Sequence, residues 1–192
     1  MESLLVSTGV VALAEIGDKT QLLAFVLAAR FKKPAPIIAG ILCATVINHG
    51  LAGALGAWIT TVISPGLLRW VLGGSFIAMA IWTLIPDAIE EDETRVAGRL
   101  GVFGATFVTF FLAEMGDKTQ VATIAMAAHY AQPLLVVIGT TAGMLIADVP
   151  AVFVGGRLAG RIPMRLVHGI AAAVFAALGL ATLLGAGAAF GL

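Results

Sequence analysis

Glu15-Ile16-Gly17-Asp18-Lys19-Thr20-Gln21 returns almost letter for letter as Glu114-Met115-Gly116-Asp117-Lys118-Thr119-Gln120, each time in the middle of a hydrophobic run. Each copy carries two acids and a lysine into what reads as a membrane-spanning segment. One charge at the bilayer centre costs roughly 2.5–3.5 kcal/mol, so six left unpaired would cost on the order of 15–20 kcal/mol. A chain can hold them only if they face one another, a cavity or an ion. The repeat therefore predicts a polar site buried within a membrane.

Composition supports that setting. The chain has 192 residues, is 60% hydrophobic and 11% charged, and has a mean hydropathy of +1.05; soluble domains hold about a quarter charged residues. Only helices or closed barrels satisfy the backbone in lipid, and barrel strands would read as short alternating segments. The long continuous runs here predict an all-α integral membrane protein. A net formal charge of zero argues against nucleic acid as a partner. The single cysteine, Cys43, lies in an apolar run, which excludes a disulfide framework and a thiolate metal site. Met1-Glu2-Ser3 lacks the basic start of a cleavable signal.

Windows of about 20 apolar residues place six spans, at roughly 4–28, 35–60, 67–86, 101–128, 134–156 and 166–190. Pro34, Pro36, Pro65, Pro86, Pro133 and Pro163 fall near span ends, whereas Pro150 lies inside span five. The connections after spans one, three and five hold Arg30, Lys32, Lys33, Arg95, Arg99, Arg157, Arg161 and Arg165, and the opposite side holds only Arg69. That bias puts both termini on the non-cytoplasmic side. The halves align without a gap at an offset of 99 residues (15 to 114): Pro34 with Pro133, Gly40 with Gly139, Gly56 with Gly155, Phe76 with Phe175, Thr83 with Thr182. With three spans per half, the second half must enter the membrane from the opposite side. The expected architecture is one membrane domain of two inverted three-helix repeats, residues 1–86 and 101–192. That plan is common to secondary transporters, whose substrate site lies near the midplane between the repeats. A duplication retained only for packing would not require duplicated charges. The acidic linker 87–100 reads as a solvated cytoplasmic connection, without the ligand spacing or central glycine of an EF-hand.

On a regular helix Glu15, Asp18 and Lys19 would share about a 100° arc, while Thr20 and Gln21 would point elsewhere unless the helix unwinds. Gly17 and Gly116 weaken a helix, and a break there would expose carbonyls as further ligands. Whether the break exists is left open by the sequence. With the strings antiparallel, Glu15, Asp18, Glu114 and Asp117 can converge. Carboxylates are hard oxygen donors suited to calcium, magnesium or manganese, and the imidazole and thiolate clusters expected for zinc or copper are absent. Four carboxylates and two lysines leave a charge of minus two, which one divalent cation or two protons would neutralise. Cation and proton can thus compete for one site, the minimum physics of an antiporter. The bland alternative is that Glu15 or Asp18 simply pairs with Lys19 or Lys118 as structural ion pairs. Lys19 and Lys118 either hold the carboxylates in place or move aside when an ion arrives. The repeat also pairs His49 with Asp148, with Asn48 adjacent. Asp148 is a further intramembrane acid expected to face the cavity. His49 reads either as a proton acceptor or as a hydrogen-bonded packing residue. Gly50, Gly53 and Gly56, with Gly155 and Gly156, read as helix-packing surfaces.

The string E-x-G-D-K-T, once in each half, resembles the signature of the transmembrane-protein-165 family, Golgi-type manganese/calcium transporters with bacterial relatives. The likeness covers essentially the whole chain. It implies a cation/proton exchanger of the calcium:cation antiporter superfamily that moves Mn2+ or Ca2+ out of the cytoplasm. By position it makes Glu15, Asp18, Glu114 and Asp117 the metal-binding carboxylates; Lys19, Thr20, Gln21, Lys118, Thr119, Gln120, Asn48, His49 and Asp148 become supporting or proton-handling candidates. The expected partners are the transported ion, protons and membrane lipid, with no cofactor, and a homo-oligomer is left open. The chain has no organellar-type N-terminal extension, which points to a bacterial plasma membrane, where the resemblance favours manganese efflux. The competing readings are a cation channel, a proton-coupled exporter of a small organic cation, and a non-transporting scaffold. An enzyme is not expected: an intramembrane aspartyl protease would need G-x-G-D, and neither H-E-x-x-H nor a nucleophile elbow is present. Ion preference and exchange stoichiometry are not legible.

Overall fold

A computed structural model describes residues 1–85, 100–154 and 164–185, without the side chains of 164 and 165. The acidic linker before residue 100, Gly155, Gly156 and the basic residues Arg95, Arg99, Arg157 and Arg161 lie outside the described residues, as does the Arg165 side chain. Every described element is an α-helix: α1 (Glu2–Glu15), α2 (Lys19–Phe31), α3 (Pro34–Val62), α4 (Pro65–Thr83), α5 (Gly101–Glu114), α6 (Lys118–Tyr130), α7 (Pro133–Val154) and α8 (Met164–Leu184).

Four of these, α3, α4, α7 and α8, contain stretches long and apolar enough to cross a membrane. The rest form two consecutive pairs, each of 14 and then 13 residues. The expected spans 4–28 and 101–128 are thus each two helices rather than one. Pro34 and Pro65 open α3 and α4 from the first turn, where a proline loses no intrahelical bond, and Pro133 begins α7. Pro150 sits within α7 without ending it. It cannot donate to the carbonyl four residues back, so the turn before it is loosened.

The two halves pack with mirrored contacts. α1 lies along α7 as α5 lies along α3, and α2 meets α7 as α6 meets α3. Small residues permit these close crossings, because lipid offers apolar side chains as good a home as another helix does. A Cβ on Gly40 would come within 2.7 Å of Thr106 and 3.0 Å of the Phe103 carbonyl. Gly139 faces Ser7 and the Leu4 carbonyl in the same way; each of these residues is the repeat mate of its counterpart. Gly53 and Gly56 also pack, against Val137 and against Ile124 and Ala127. Gly50 does not: among the described residues nothing lies within 4 Å of a Cβ built there, so no helix packs on it.

α4 and α8 pair closely, with Gly73 facing Leu183 and Gly179 facing Ile77. This pair lies on one side of the bundle. α4 packs on α6 and α8 packs on α1, whereas the symmetry-equivalent contacts of α8 with α2 and α4 with α5 are marginal or absent among the described residues. The buried apolar core divides accordingly. One cluster joins α1, α4, α6, α7 and α8 around Phe76, Met126 and Phe175. The other joins α2, α3, α5 and α7 around Leu27, Ile41 and Phe110, without α4 or α8.

Candidate metal centre

The break in each motif follows from its residues. α1 ends at Glu15, Ile16 turns to an extended conformation, and Gly17 takes φ +86°. Met115 and Gly116 repeat this, with φ +76° at the glycine. That left-handed region costs an L-residue about 1–2 kcal/mol but costs glycine little. The chain then restarts as a helix capped by the aspartate. The Asp18 carboxylate accepts from the Lys19 N–H at 2.7 Å, and Asp117 accepts from the Lys118 N–H at 2.7 Å. Three residues after each cap, the glutamine reaches back: Gln21 Oε1 accepts from Gly17 N–H at 2.9 Å and Gln120 Oε1 from Gly116 N–H at 2.8 Å. This is a capping box displaced by one residue. The expectation that Glu15, Asp18 and Lys19 share the arc of one regular helix is overturned: a positive-φ glycine separates the glutamate from the aspartate.

Each motif thus sets the C-terminal end of one half-helix against the N-terminal end of another. The half-helix dipoles focus both partial charges on the break. Glu15, Asp18 and Glu114 are fully buried and Asp117 nearly so. Ion pairs cross between the repeats: Lys118 Nζ lies 3.0 Å from Asp18 Oδ1, and Lys19 Nζ lies 3.4 Å from Asp117 Oδ2. The structure therefore brings the two motifs together. Glu15 lies in the field of Glu114, Asp18, Asp148 and Asp117, and Glu114 in that of Asp117, Lys19 and Lys118. Asp148, on α7, lies in the field of Glu114 and joins the same group.

The supporting residues separate by partner. Thr119 Oγ1 donates to Glu114 Oε2 at 2.7 Å, and His49 Nε2 stands 4.0 Å from the same oxygen. Among the described residues neither His49 ring nitrogen has a hydrogen-bond partner, so the hydrogen-bonded packing role does not hold in this conformation. Asn48 Nδ2 donates to the Phe111 carbonyl at 3.0 Å, which leaves its Oδ1 unpartnered. Gln21 Nε2 donates to the Ala147 carbonyl at 3.0 Å, in the turn loosened by Pro150. Thr20 is fully buried, with its hydroxyl unpartnered.

Both carboxylate oxygens of Glu15 and of Asp148, together with Glu114 Oε1, are buried without a hydrogen-bond donor among the described residues. Buried acceptors normally find partners, so this concentration of unpartnered oxygen points to a ligand or to protons. Among the buried hydroxyls that share this condition are two threonines that the sequence did not single out, Thr45 on α3 and Thr141 on α7. Thr45 precedes Asn48 by three residues and His49 by four, and Thr141 precedes Asp148 by seven. The helical period alone puts each on the polar face. Among the described residues no three His, Cys, Asp or Glu side chains are arranged to hold a metal ion. In this conformation each lysine ammonium is paired with the aspartate of the other motif. Among hard-cation donors, carboxylate, amide and hydroxyl oxygens fit Mn2+, Ca2+ or Mg2+.

The two lysines are not equivalent. Lys118 is fully buried, whereas Lys19 is 21% exposed. Lys118 opens α6, on the side covered by the α4–α8 pair; Lys19 opens α2, on the side that pair leaves uncovered.

Comparison with known proteins is consistent with this arrangement. A family model described as "Divalent cation/proton antiporter GDT1" matches residues 3–91 and 102–189, one segment per half. A Vibrio cholerae protein named "Putative manganese exporter" is 49% identical over 183 residues, covering 95% of this chain and 90% of the relative. "GDT1-like protein 3" of rice is 27% identical over 199 residues, covering 91% of this chain and 71% of the relative. Its Arabidopsis thaliana counterpart is 28% identical over 200 residues, covering 91% and 68%. No solved structure matches the chain significantly.

Proposed function

Since the chain belongs to the GDT1 family of divalent cation/proton antiporters, we propose that it exports Mn2+ from the cytoplasm in exchange for protons. Ca2+ is the second candidate substrate. The observation that carries this reading is the buried meeting of the two motifs: six charged side chains, two per motif acidic, joined across the repeats and flanked by unpartnered oxygens of Glu15, Glu114 and Asp148. Glu15, Asp18, Glu114 and Asp117 are the principal ligands in this proposal, with Asp148 and the Asn48 and Thr20 oxygens within the same polar region. The choice of manganese rests on the name of the Vibrio cholerae relative and on the hard-oxygen donor set.

In this proposal α1–α2 and α5–α6 each form one broken span, giving six spans as two inverted three-helix repeats in a bacterial inner membrane. The charge bias puts both termini outside, so α1 and α6 are the outer half-helices and α2 and α5 the cytoplasmic ones. The α4–α8 pair then closes the outer half and leaves the cytoplasmic half uncovered, a cytoplasm-facing arrangement. Repeat symmetry supplies the opposite one: α8 moves onto α2 and α4 onto α5, so the pair rocks between the two halves around a fixed site. Each proton or ion bound changes the charge of one shared carboxylate group, which couples the two fluxes. Equilibrium binding of Mn2+ to the detergent-purified chain tests the site. Glu15→Gln and Glu114→Gln are each expected to weaken binding by at least about tenfold, the lower bound for losing even an outer-shell partner. Unchanged affinity in both would contradict the assignment.

A further inference from the structure

The lysines of the motif carry a second role, and it rests on the proposed cation site. Each is contributed by one repeat and paired with the aspartate of the other: Lys118 with Asp18 at 3.0 Å, Lys19 with Asp117 at 3.4 Å. A hard divalent ion binds carboxylate oxygen at about 2.0–2.6 Å. An ammonium already paired with the same carboxylate, at 3.0 Å for Lys118 and 3.4 Å for Lys19, competes for the oxygen that the ion needs. The two cations also repel strongly in a buried site. Among the described residues no three His, Cys, Asp or Glu side chains are arranged to hold a metal ion in this conformation. We propose that Lys19 and Lys118 are tethered competing cations, each released from its aspartate when the transported ion binds and returning to drive the ion off.

The asymmetry gives the order. Lys19 is partly exposed, makes the longer pair and opens the half-helix that α4 and α8 leave uncovered; Lys118 is sealed, makes the shorter pair and lies beneath them. In this conformation an arriving ion therefore displaces Lys19 from Asp117, while Lys118 stays on Asp18. In the symmetry-related conformation the roles exchange, so each lysine serves the side on which its own half-helix is open. A lysine suits this task because its charge is a single ammonium on a flexible four-carbon stem, free to swing, whereas an arginine fork binds a carboxylate at two points. The two are positioning residues: they set affinity and release without contacting the ion.

The test uses the full chain reconstituted in lipid vesicles, with Mn2+ as the probe and Lys19→Gln, Lys19→Arg, Lys118→Gln and Lys118→Arg as variants. Lys19→Gln removes a partly exposed charge and is the variant expected to keep its fold. It should lower both the dissociation constant and KM for Mn2+ about tenfold, one step of the affinity scale, while Vmax falls because the ion is no longer driven off. Lys19→Arg should show no gain in affinity. In the wild type, acylation of Lys19 by an amine reagent should rise with Mn2+ occupancy, at a midpoint equal to the dissociation constant. A dissociation constant unchanged or raised in Lys19→Gln, or acylation indifferent to Mn2+, would overturn the proposal while leaving the cation site standing. A wild-type chain that binds no Mn2+ would overturn both.

Discussion

Replacing Gly116 by alanine separates a broken motif from a continuous one by the sign of its effect. In an uninterrupted helix the change should stabilise, because alanine is better than glycine by about 0.8–1 kcal/mol. At φ +76° it must destabilise instead. Among the described residues a Cβ built on Gly116 meets no other part of the chain within 4 Å, so the cost is only that of the local crowding an L-residue suffers in the left-handed region, about 1–2 kcal/mol. For a chain of this size that lowers Tm by roughly 2–8 °C. Asparagine tolerates the left-handed region better, so Gly116→Asn should fall between wild type and Gly116→Ala. Thermal unfolding of the purified chain in one detergent, followed by circular dichroism, reads all three. A Tm for Gly116→Ala at or above wild type would refute the break at Gly116 and, with it, the placement of Asp117 as a helix cap.

Other consequences are equally direct. Gln21→Leu removes the bonds to Gly17 N–H and to the Ala147 carbonyl, and at about 1 kcal/mol each should destabilise by about 2 kcal/mol in the same unfolding assay. Gly40→Val would drive methyls into Thr106, already 2.7 Å from a Cβ at that position, at an expected cost of about 1–3 kcal/mol; Gly50→Ala, ten residues on in α3 with open space around it, should be neutral or stabilising by up to about 1 kcal/mol. Thr119→Val removes the donor that fixes Glu114 Oε2. A hydrogen bond to a charged group contributes about 1.5–3 kcal/mol, so KM for Mn2+ should rise at least about tenfold with the fold intact. Asp148→Asn should lower transport while leaving the protein in the membrane, and unimpaired flux would remove Asp148 from the site.

The helical, membrane-embedded character and the two-fold repetition were legible because lipid leaves few solutions. Hydrophobic length and duplicated charge both report on that solvent directly. The break at each motif was half legible. Gly17 and Gly116 signalled weakness, but a glycine alone does not end a helix. The decisive signal lay in the four residues from the aspartate to the glutamine, Asp18 to Gln21 and Asp117 to Gln120, which spell a helix N-terminus in the middle of an apolar run. Read at 100° per residue, Thr20 and Gln21 pointed away from the site; read as a cap, Gln21 closes it. The sequence left Glu15 and Asp18 open to either lysine; that Lys118 meets Asp18 while Lys19 meets Asp117 depends on how two bundles of helices cross. Thr45 and Thr141 passed unnoticed because a threonine within an apolar helix commonly bonds its own backbone, as Thr83, Thr109 and Thr123 do here. The asymmetric seating of α4 and α8 was not legible, because a repeated pattern specifies equivalent contacts in both halves.

In the proposed mechanism the two motifs form one site shared by a divalent cation and protons. Mn2+ flux into vesicles containing the purified chain, under an imposed pH gradient, tests it most directly, with Glu15→Gln and Glu114→Gln alongside. Flux that follows the direction and size of the pH gradient, and that is lost in both variants, is the expected result. Mn2+ flux indifferent to the gradient, or undiminished when either glutamate is neutralised, would contradict it.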